Sequence, residues 1–328
     1  MKRHHATTFY LLPILLLVAL PCIGVPGQGR KSPASQTSGY AIRANVSLVV
    51  LRATVRDHKG APVAGLTQED FEIYEDKVLQ QIDTFSHEDV PVTVGLVIDN
   101  SGSMRTKRSD VIAAALAFVR SSNLQDQVFV VNFNEHVSMG LPSRTPFTAD
   151  QSKLELALSR NKADGLTALY DALAISLEQL QKGKWDKKVL IVISDGGDNA
   201  SKHKFAEIMS AVNQSNAILY TMGIFDANDD DRNPRVLKQL SGASGGEAFF
   251  PESLNEILPI CQQIAHDIRN QYSLAYAPTN RKADGKYRTI EVKVRKQSGR
   301  GRLSVSTRPG YSAPSDPPPT HDALSVRP

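Results

Sequence analysis

Residues 94–98 read Val-Gly-Leu-Val-Ile, a run with no polar alternation. A strand of that kind is buried on both faces, which parallel sheets sheathed in helices provide. A helix must follow, and Val111, Ile112, Ala115, Leu116, Phe118 and Val119 recur at helical spacing before a second apolar strand at 128–133. The alternation continues with a helix over 168–181, a strand at 189–193, a helix over 205–216 and a strand at 218–224. A helix around 236–240, a strand at 248–250 and a helix over 254–270 complete it. Ser253, with Glu256 three residues on, makes a capping box for the last helix. Strand and helix in strict succession predict an α/β fold, a doubly wound, Rossmann-like parallel sheet over residues 91–270.

The flanks differ. Residues 46–57 alternate as Val46, Leu48, Val50 and then Ala53, Val55 before a turn at Lys59 and Gly60. Phe71, Ile73 and Tyr74, then Ile82 and Phe85, surround a second turn at Glu75, Asp76 and Lys77. Beyond Asn270, residues 273–276, 287–294 and 303–306 again show period two, with Ile290, Val292 and Val294 on one face and Glu291, Lys293 and Arg295 on the other. Neither flank has enough strands to be stable alone. Residues 41–90 and 271–311 are therefore expected to pair into one smaller, β-sandwich-like domain into which the α/β domain is inserted.

At the front, Lys2 and Arg3 precede an apolar run over 9–20 that is followed by small and turn-forming residues. That layout predicts a secretory signal over residues 1–27, and hence an exported protein, secreted, periplasmic or associated with the cell envelope. An uncleaved anchor, or acylation at Cys22, is the competing reading; Pro21 stands where an acylated signal carries a small residue. A linker over 28–40 follows, and the Pro-rich residues 312–328 are expected as a disordered tail. Of the formal charge of +4, Lys2 and Arg3 account for half, so charge does not point to nucleic acid. Without Cys22, Cys261 is alone, which excludes an internal disulfide, and its apolar surroundings read as helix core.

In open parallel sheets ligands bind beyond the carboxyl ends of the strands. Three segments fall there: Asp99-Asn100-Ser101-Gly102-Ser103, Gly165-Leu166-Thr167-Ala168-Leu169 and Ser194-Asp195-Gly196-Gly197-Asp198. Two carboxylates and three hydroxyls, with no Cys or His among them, suit a hard cation, Mg²⁺, Mn²⁺ or Ca²⁺, rather than zinc. Gly102 is expected to let the first loop turn back so that Ser101 and Ser103 face the same point as Asp99. The alternative is helix capping, by Asp and Ser after a strand and by Thr167 for the helix that follows it.

These three motifs, in this order, resemble the von Willebrand factor type A domain and its metal-ion-dependent adhesion site. The flanks, with the run from Val55 through Asp57-His58-Lys59-Gly60 to Phe71 and with Tyr272 to Tyr276, are similar to secreted bacterial von Willebrand factor A-related proteins known from acidobacteria. The resemblance implies that Asp99, Ser101, Ser103 and Thr167 approach the metal and that Asp195 acts directly or through water. Asn100 falls in a variable slot of the motif, and Ser194 stands where Thr is frequent. Neutral hydroxyls leave much of a cation's charge uncompensated, so an Asp or Glu of a partner protein is the expected external ligand.

Other features carry less. Asp226, Asp229, Asp230 and Asp231 fail the EF-hand spacing and read as a solvated loop. The basic hairpin with Arg288, Lys293, Arg295, Lys296, Arg300, Arg302 and Arg308 reads as a protected edge, with contact to an anionic envelope surface as the second reading. No H-E-x-x-H or G-x-S-x-G occurs, and the histidines beyond the leader show no triad spacing, which leaves Asp195 and Asp198 as the only candidate bases. The expectation is a metal-dependent binding module rather than an enzyme, monomeric or weakly associating. A cell-envelope scaffold that uses the same site for docking is the alternative.

Overall fold

A computed structural model of the chain describes residues 48–123, 125–160, 162–225, 232–295 and 301–315, which fall within one compact unit, Val46–Pro328. The leader, the linker, the acidic loop at 226–231 and the tail from 316 lie outside the described residues.

The chain opens with β1 (Val49–Arg56), β2 (Phe71–Glu75), β3 (Val78–Gln80) and β4 (Thr84–Ser86). The α/β region follows as β5 (Val92–Asp99), α1 (Arg108–Arg120), β6 (Gln127–Phe133), β7 (Val137–Met139), α2 (Gln151–Ser159) and α3 (Leu169–Gln181). It continues through β8 (Lys187–Ser194), α4 (Phe205–Gln214), β9 (Ile218–Gly223), α5 (Pro234–Ser244), β10 (Ala248–Phe249) and α6 (Ile257–Arg269). The last strands are β11 (Tyr272–Tyr276), β12 (Tyr287–Val294), β13 (Ser304–Ser306) and β14 (Gly310–Ser312).

The central sheet has the order β10-β9-β8-β5-β6-β7, parallel except for the antiparallel edge β7. Every residue of β5 is buried, as its unbroken apolar run requires, because helices cover both faces. On one face Val94, Leu96 and Ile98 pack with α1, α2 and α6; on the other Val97, Phe129 and Val192 pack with α3, α4 and α5. The last helix begins as a single 3-10 turn, Leu254–Glu256, where one continuous helix over 254–270 is expected from the sequence. Helix α2 is not evident in the sequence, although Asp150 caps it by accepting the amides of Ser152 at 3.0 Å and Lys153 at 3.4 Å. Its Leu154-Glu155-Leu156-Ala157-Leu158 alternates as a strand would, and Leu156 is exposed.

The flanking strands form two four-stranded sheets, β13-β1-β11-β4 and β14-β12-β2-β3. In each, a strand from before the α/β region pairs antiparallel with one from after it, Leu51 opposite Leu274 and Ile73 opposite Val292. Leu51, Ile73, Tyr272, Tyr276 and Ile290 share one core. Pairing continues to a bridge between Asp284 and Ser315, with Ala313 buried, so β structure enters the first residues of the span expected as tail.

The two regions meet through specific polar contacts. Arg56 on β1 reaches Asp267 on α6 at 2.6 Å and Glu247 at 2.8 Å. Gln271 donates to the Tyr220 hydroxyl at 3.2 Å, and Arg308 donates to the carbonyl of Asn213 at 2.8 Å. Within the basic hairpin, Arg288 is buried against Asp284, Lys293 meets Glu291 and Arg295 meets Glu72.

Lys187, at the start of β8, is buried and donates to the carbonyl of Ile268. Burial, and then the charge of Arg52, push its ammonium down to about 7. A lysine whose folded pKa lies below its unfolded value is a burden that is full below pH 7 and fades as pH rises toward 10.5. Wild-type stability in urea should therefore rise by about 1–3 kcal/mol between pH 7 and pH 10, since each unit of depression corresponds to about 1.4 kcal/mol. Lys187→Met should abolish that rise; an equal rise in the variant would assign it to other groups.

Candidate functional site

Strands β5 and β8 are neighbours at the centre of the sheet and end level with each other, Ile98 opposite Ile193. Their last residues, Asp99 and Ser194, therefore lie side by side where the strands end, and the Ser194 hydroxyl donates to Asp99 Oδ2 at 2.6 Å. Asp99 Oδ1 accepts the amide of Ser101 at 2.8 Å, which folds the loop back over its own strand. A 3-10 turn, Gly102–Met104, then brings the Ser103 hydroxyl onto Asp195 Oδ2 at 2.5 Å and within 3.1 Å of the Ser101 hydroxyl. Asp195 Oδ1 accepts the amide of Gly197 at 2.9 Å. Asp99, Ser101, Ser103 and Asp195 thus form one continuous polar chain although 92 residues separate Ser103 from Asp195.

Thr167, also buried, joins through its backbone. Its amide donates to Asn199 Oδ1 at 2.8 Å and its carbonyl accepts the amides of Asn199 and Ala200, both at 3.0 Å. Two residues earlier the Gly165 carbonyl accepts the amide of Gly102 at 3.1 Å, so all three sequence motifs are stitched together. The glycines that the site needs for a left-handed backbone are Gly165 and Gly196, each with φ near +80°. Gly102, between Ser101 and Ser103 where the loop turns back, is not in that region. A Cβ on Gly196 would lie 2.5 Å from the carbonyl oxygen of Asn233, so that position is closed to larger residues.

Capping does not account for these side chains. Helix α3 starts after Ala168, and its first amides go to Asp198 Oδ1, from Tyr170 at 3.2 Å, and to the Ser201 hydroxyl, from Asp171 at 3.1 Å. Asp198, one of the two candidate bases, is thereby a helix cap. His203 pairs with Asp171 at 2.7 Å, whereas the Ser201 hydroxyl donates to Asp198, so serine and histidine are not arranged as nucleophile and base.

The electrostatics are those of an uncompensated acidic site. Asp99 and Asp195 are only 2% and 1% exposed, and among the described residues their hydrogen bonds come from hydroxyls and backbone amides, with no ion pair to either. Burial, and then the nearby charge of Asp195, push the Asp99 carboxyl up to about 7. Among the described residues no group of three or more His, Cys, Asp and Glu side chains is arranged to hold a metal ion, so any cation here must be held by carboxylates together with hydroxyls. Beside the site lies a cleft of about 360 Å³ whose wall includes Lys107, Ile224 and Phe225. Ile224 donates to the carbonyl of Ser194 at 3.4 Å, which joins that wall to the site.

The sequence did not expose the hydroxyl of Ser194 as a partner of Asp99, or the burial of Asn100, only 1% exposed. A polar residue abutting an apolar strand was the available signal for both.

The chain is similar to known proteins over part of its length. A protein of Synechocystis, sll0103, is 22% identical over 184 residues, which cover 55% of this chain; the chain spans only 42% of that relative's length. Among solved structures, a von Willebrand factor type A protein from Catenulispora acidiphila has 15% identity and a TM-score of 0.49 over 84% of this chain and 76% of that one. An aerotolerance-related membrane protein from Bacteroides fragilis has 15% identity and a TM-score of 0.43 over 53% of this chain and 98% of its own. A pilus adhesin from Lactobacillus rhamnosus GG has 13% identity and a TM-score of 0.47 over 75% and 48%. Residues 94–197, the part of the α/β region that holds β5 and β8, match the von Willebrand factor type A domain family.

Proposed function

We propose that this chain is an exported, metal-dependent protein-binding module that captures a carboxylate of a partner at the edge of its central sheet. The observation that carries the reading is the meeting of two buried carboxylates and two hydroxyls where β5 and β8 end, with no ion pair to either carboxylate among the described residues. Oxygen donors alone, part neutral and part anionic, fit Mg²⁺ or Mn²⁺, with Ca²⁺ as the looser alternative. Asp99, Ser101, Ser103, Thr167 and Asp195 would hold the ion. When bound, such an ion supplies a coordination position open to an external Asp or Glu.

The residues around the site support binding rather than turnover. Asp198 is occupied as a cap, and the Asp195 carboxylate is engaged by Ser103 and Gly197, so each of the two candidate bases already has partners. No helix among the described residues is long and apolar enough to cross a membrane.

Capture from envelope extract on immobilised protein, with and without chelator, tests the proposal. The expected result is a partner retained in Mg²⁺ or Mn²⁺ and lost both on chelation and in Asp99→Ala. A partner retained equally by Asp99→Ala would move the binding surface elsewhere on the chain.

A further inference from the structure

Asn100 sits between Asp99 and Ser101, yet its side chain turns the other way, into the protein. It is buried, and both polar atoms of its side chain have hydrogen-bond partners. Its Nδ2 donates to the carbonyl of Ile98 at 3.1 Å and to Asn132 Oδ1 at 3.2 Å, while its Oδ1 accepts from Arg108 Nη1. Its backbone amide donates to the carbonyl of Phe133 at 2.6 Å, and its carbonyl accepts the amide of Asp164 at 2.9 Å.

The partners extend the network. Asn132 donates to the carbonyl of Ala157 at 2.8 Å and Arg108 to that of Leu158 at 3.2 Å, both on α2. Asn134 donates through its side chain to the carbonyl of Asp164 at 3.1 Å and accepts the amide of Ala168 at 2.8 Å, holding both ends of the segment that carries Thr167. The end of β6 is thus a hub that grips the Asp99 loop through Asn100 and the Thr167 loop through Asn134. A buried amide costs free energy unless fully bonded, so a network satisfied this completely fixes backbone rather than merely filling space.

We propose that Asn100 is a positioning residue for the cation site, which sets the spacing of Asp99, Ser101 and Ser103 against Thr167 through the network of Arg108, Asn132 and the Asp164 amide. The inference rests on the cation reading above. Hydroxyl ligands are weak individually, so affinity depends on holding them at fixed separations before the ion arrives; groups that orient metal ligands are commonly worth about 10–100-fold in affinity.

The test is calorimetric titration of the full chain with MgCl₂ and MnCl₂, together with amide exchange of the cation-free protein. Asn100→Leu should weaken binding about 10–100-fold and speed exchange at Ser101, Gly102 and Asp164 while leaving the central-strand amides of β5 and β8 protected. Arg108→Met, which removes one bond to Asn100 from a partly exposed position, should shift both readouts in the same direction by less. Gln271→Leu serves as control: it removes a buried amide where the two regions meet, and should lower stability without changing cation affinity. Unchanged affinity and unchanged exchange in Asn100→Leu would overturn the inference while the cation reading stands. Absence of cation binding by the wild type would sink both.

Discussion

Saturating Mg²⁺ or Mn²⁺ at pH 8 should raise the melting temperature of the protein by about 5–10 °C, as expected for a ligand near 100 times its Kd and a chain of this size. Asp99→Asn should lose the whole shift. The same substitution should leave the cation-free protein at least as stable as the wild type at that pH. The reason is the direction of the Asp99 shift. A carboxyl whose folded pKa is raised from 3.8 to about 7 carries a penalty that is full above pH 7 and is relieved as pH falls toward 3.8. At pH 8 the cation-free wild type therefore holds Asp99 ionised against its burial first and the neighbouring Asp195 second, a penalty on the order of 2–4 kcal/mol at about 1.4 kcal/mol per unit. Asparagine removes one charge and retains the bonding: its oxygen can accept the Ser101 amide and its nitrogen can donate to the Ser194 hydroxyl. The cation-free wild type should also gain stability as pH falls from 8 to 5, and Asp99→Asn should not share that gain. An identical Mg²⁺ shift in both proteins would show that the ion acts elsewhere.

What could be read from sequence follows from how far apart the determining groups lie. The runs that became β5 and β8 were legible because burial on both faces is written in consecutive residues. Asp99, Ser101, Ser103 and Asp195 were legible as a cluster because each follows such a strand and topology alone brings strand ends together. Thr167 had no strand directly before it and was picked out as a hydroxyl in the loop before the helix over 168–181, while its place as a metal ligand came from the family resemblance. Helix α2 was hidden because Leu154, Leu156 and Leu158 alternate, and the cap at Asp150 looks like any polar residue in a loop. Asn100 was hidden for a different reason: its place at the end of an apolar strand hints at burial, but its neighbours in space, Arg108, Asn132 and Asp164, belong to three separate segments and no local pattern names them. The ion pair of Arg56 with Asp267 spans 211 residues and lay beyond any local pattern.

That pair carries the second large effect. Arg56→Met should destabilise the protein by about 3–5 kcal/mol at neutral pH, because it strands a carboxylate that is wholly inaccessible. Asp267 Oδ1 already lacks a hydrogen-bond partner among the described residues, and Arg56 is the ion-pair partner of Oδ2 at 2.6 Å. Even with Arg56 in place, burial outweighs the attraction and leaves the Asp267 carboxyl raised above its ordinary value. Two consequences follow. The deficit of Arg56→Met should shrink as pH falls, since a carboxyl with raised folded pKa gains relative stability by taking a proton. The double variant Arg56→Met with Asp267→Leu should recover most of the loss, since two apolar side chains need no desolvation to be repaid by pairing. Urea unfolding across pH 5–8 measures both. Because Arg56 lies on β1 and Asp267 near the end of α6, the single variant should also separate the unfolding of the flanking sheets from that of the central one, seen as a lower m-value or a second transition. A double variant as unstable as the single, or a deficit independent of pH, would mean that Arg56 stabilises through its packing and its contact with Glu247 rather than by neutralising Asp267.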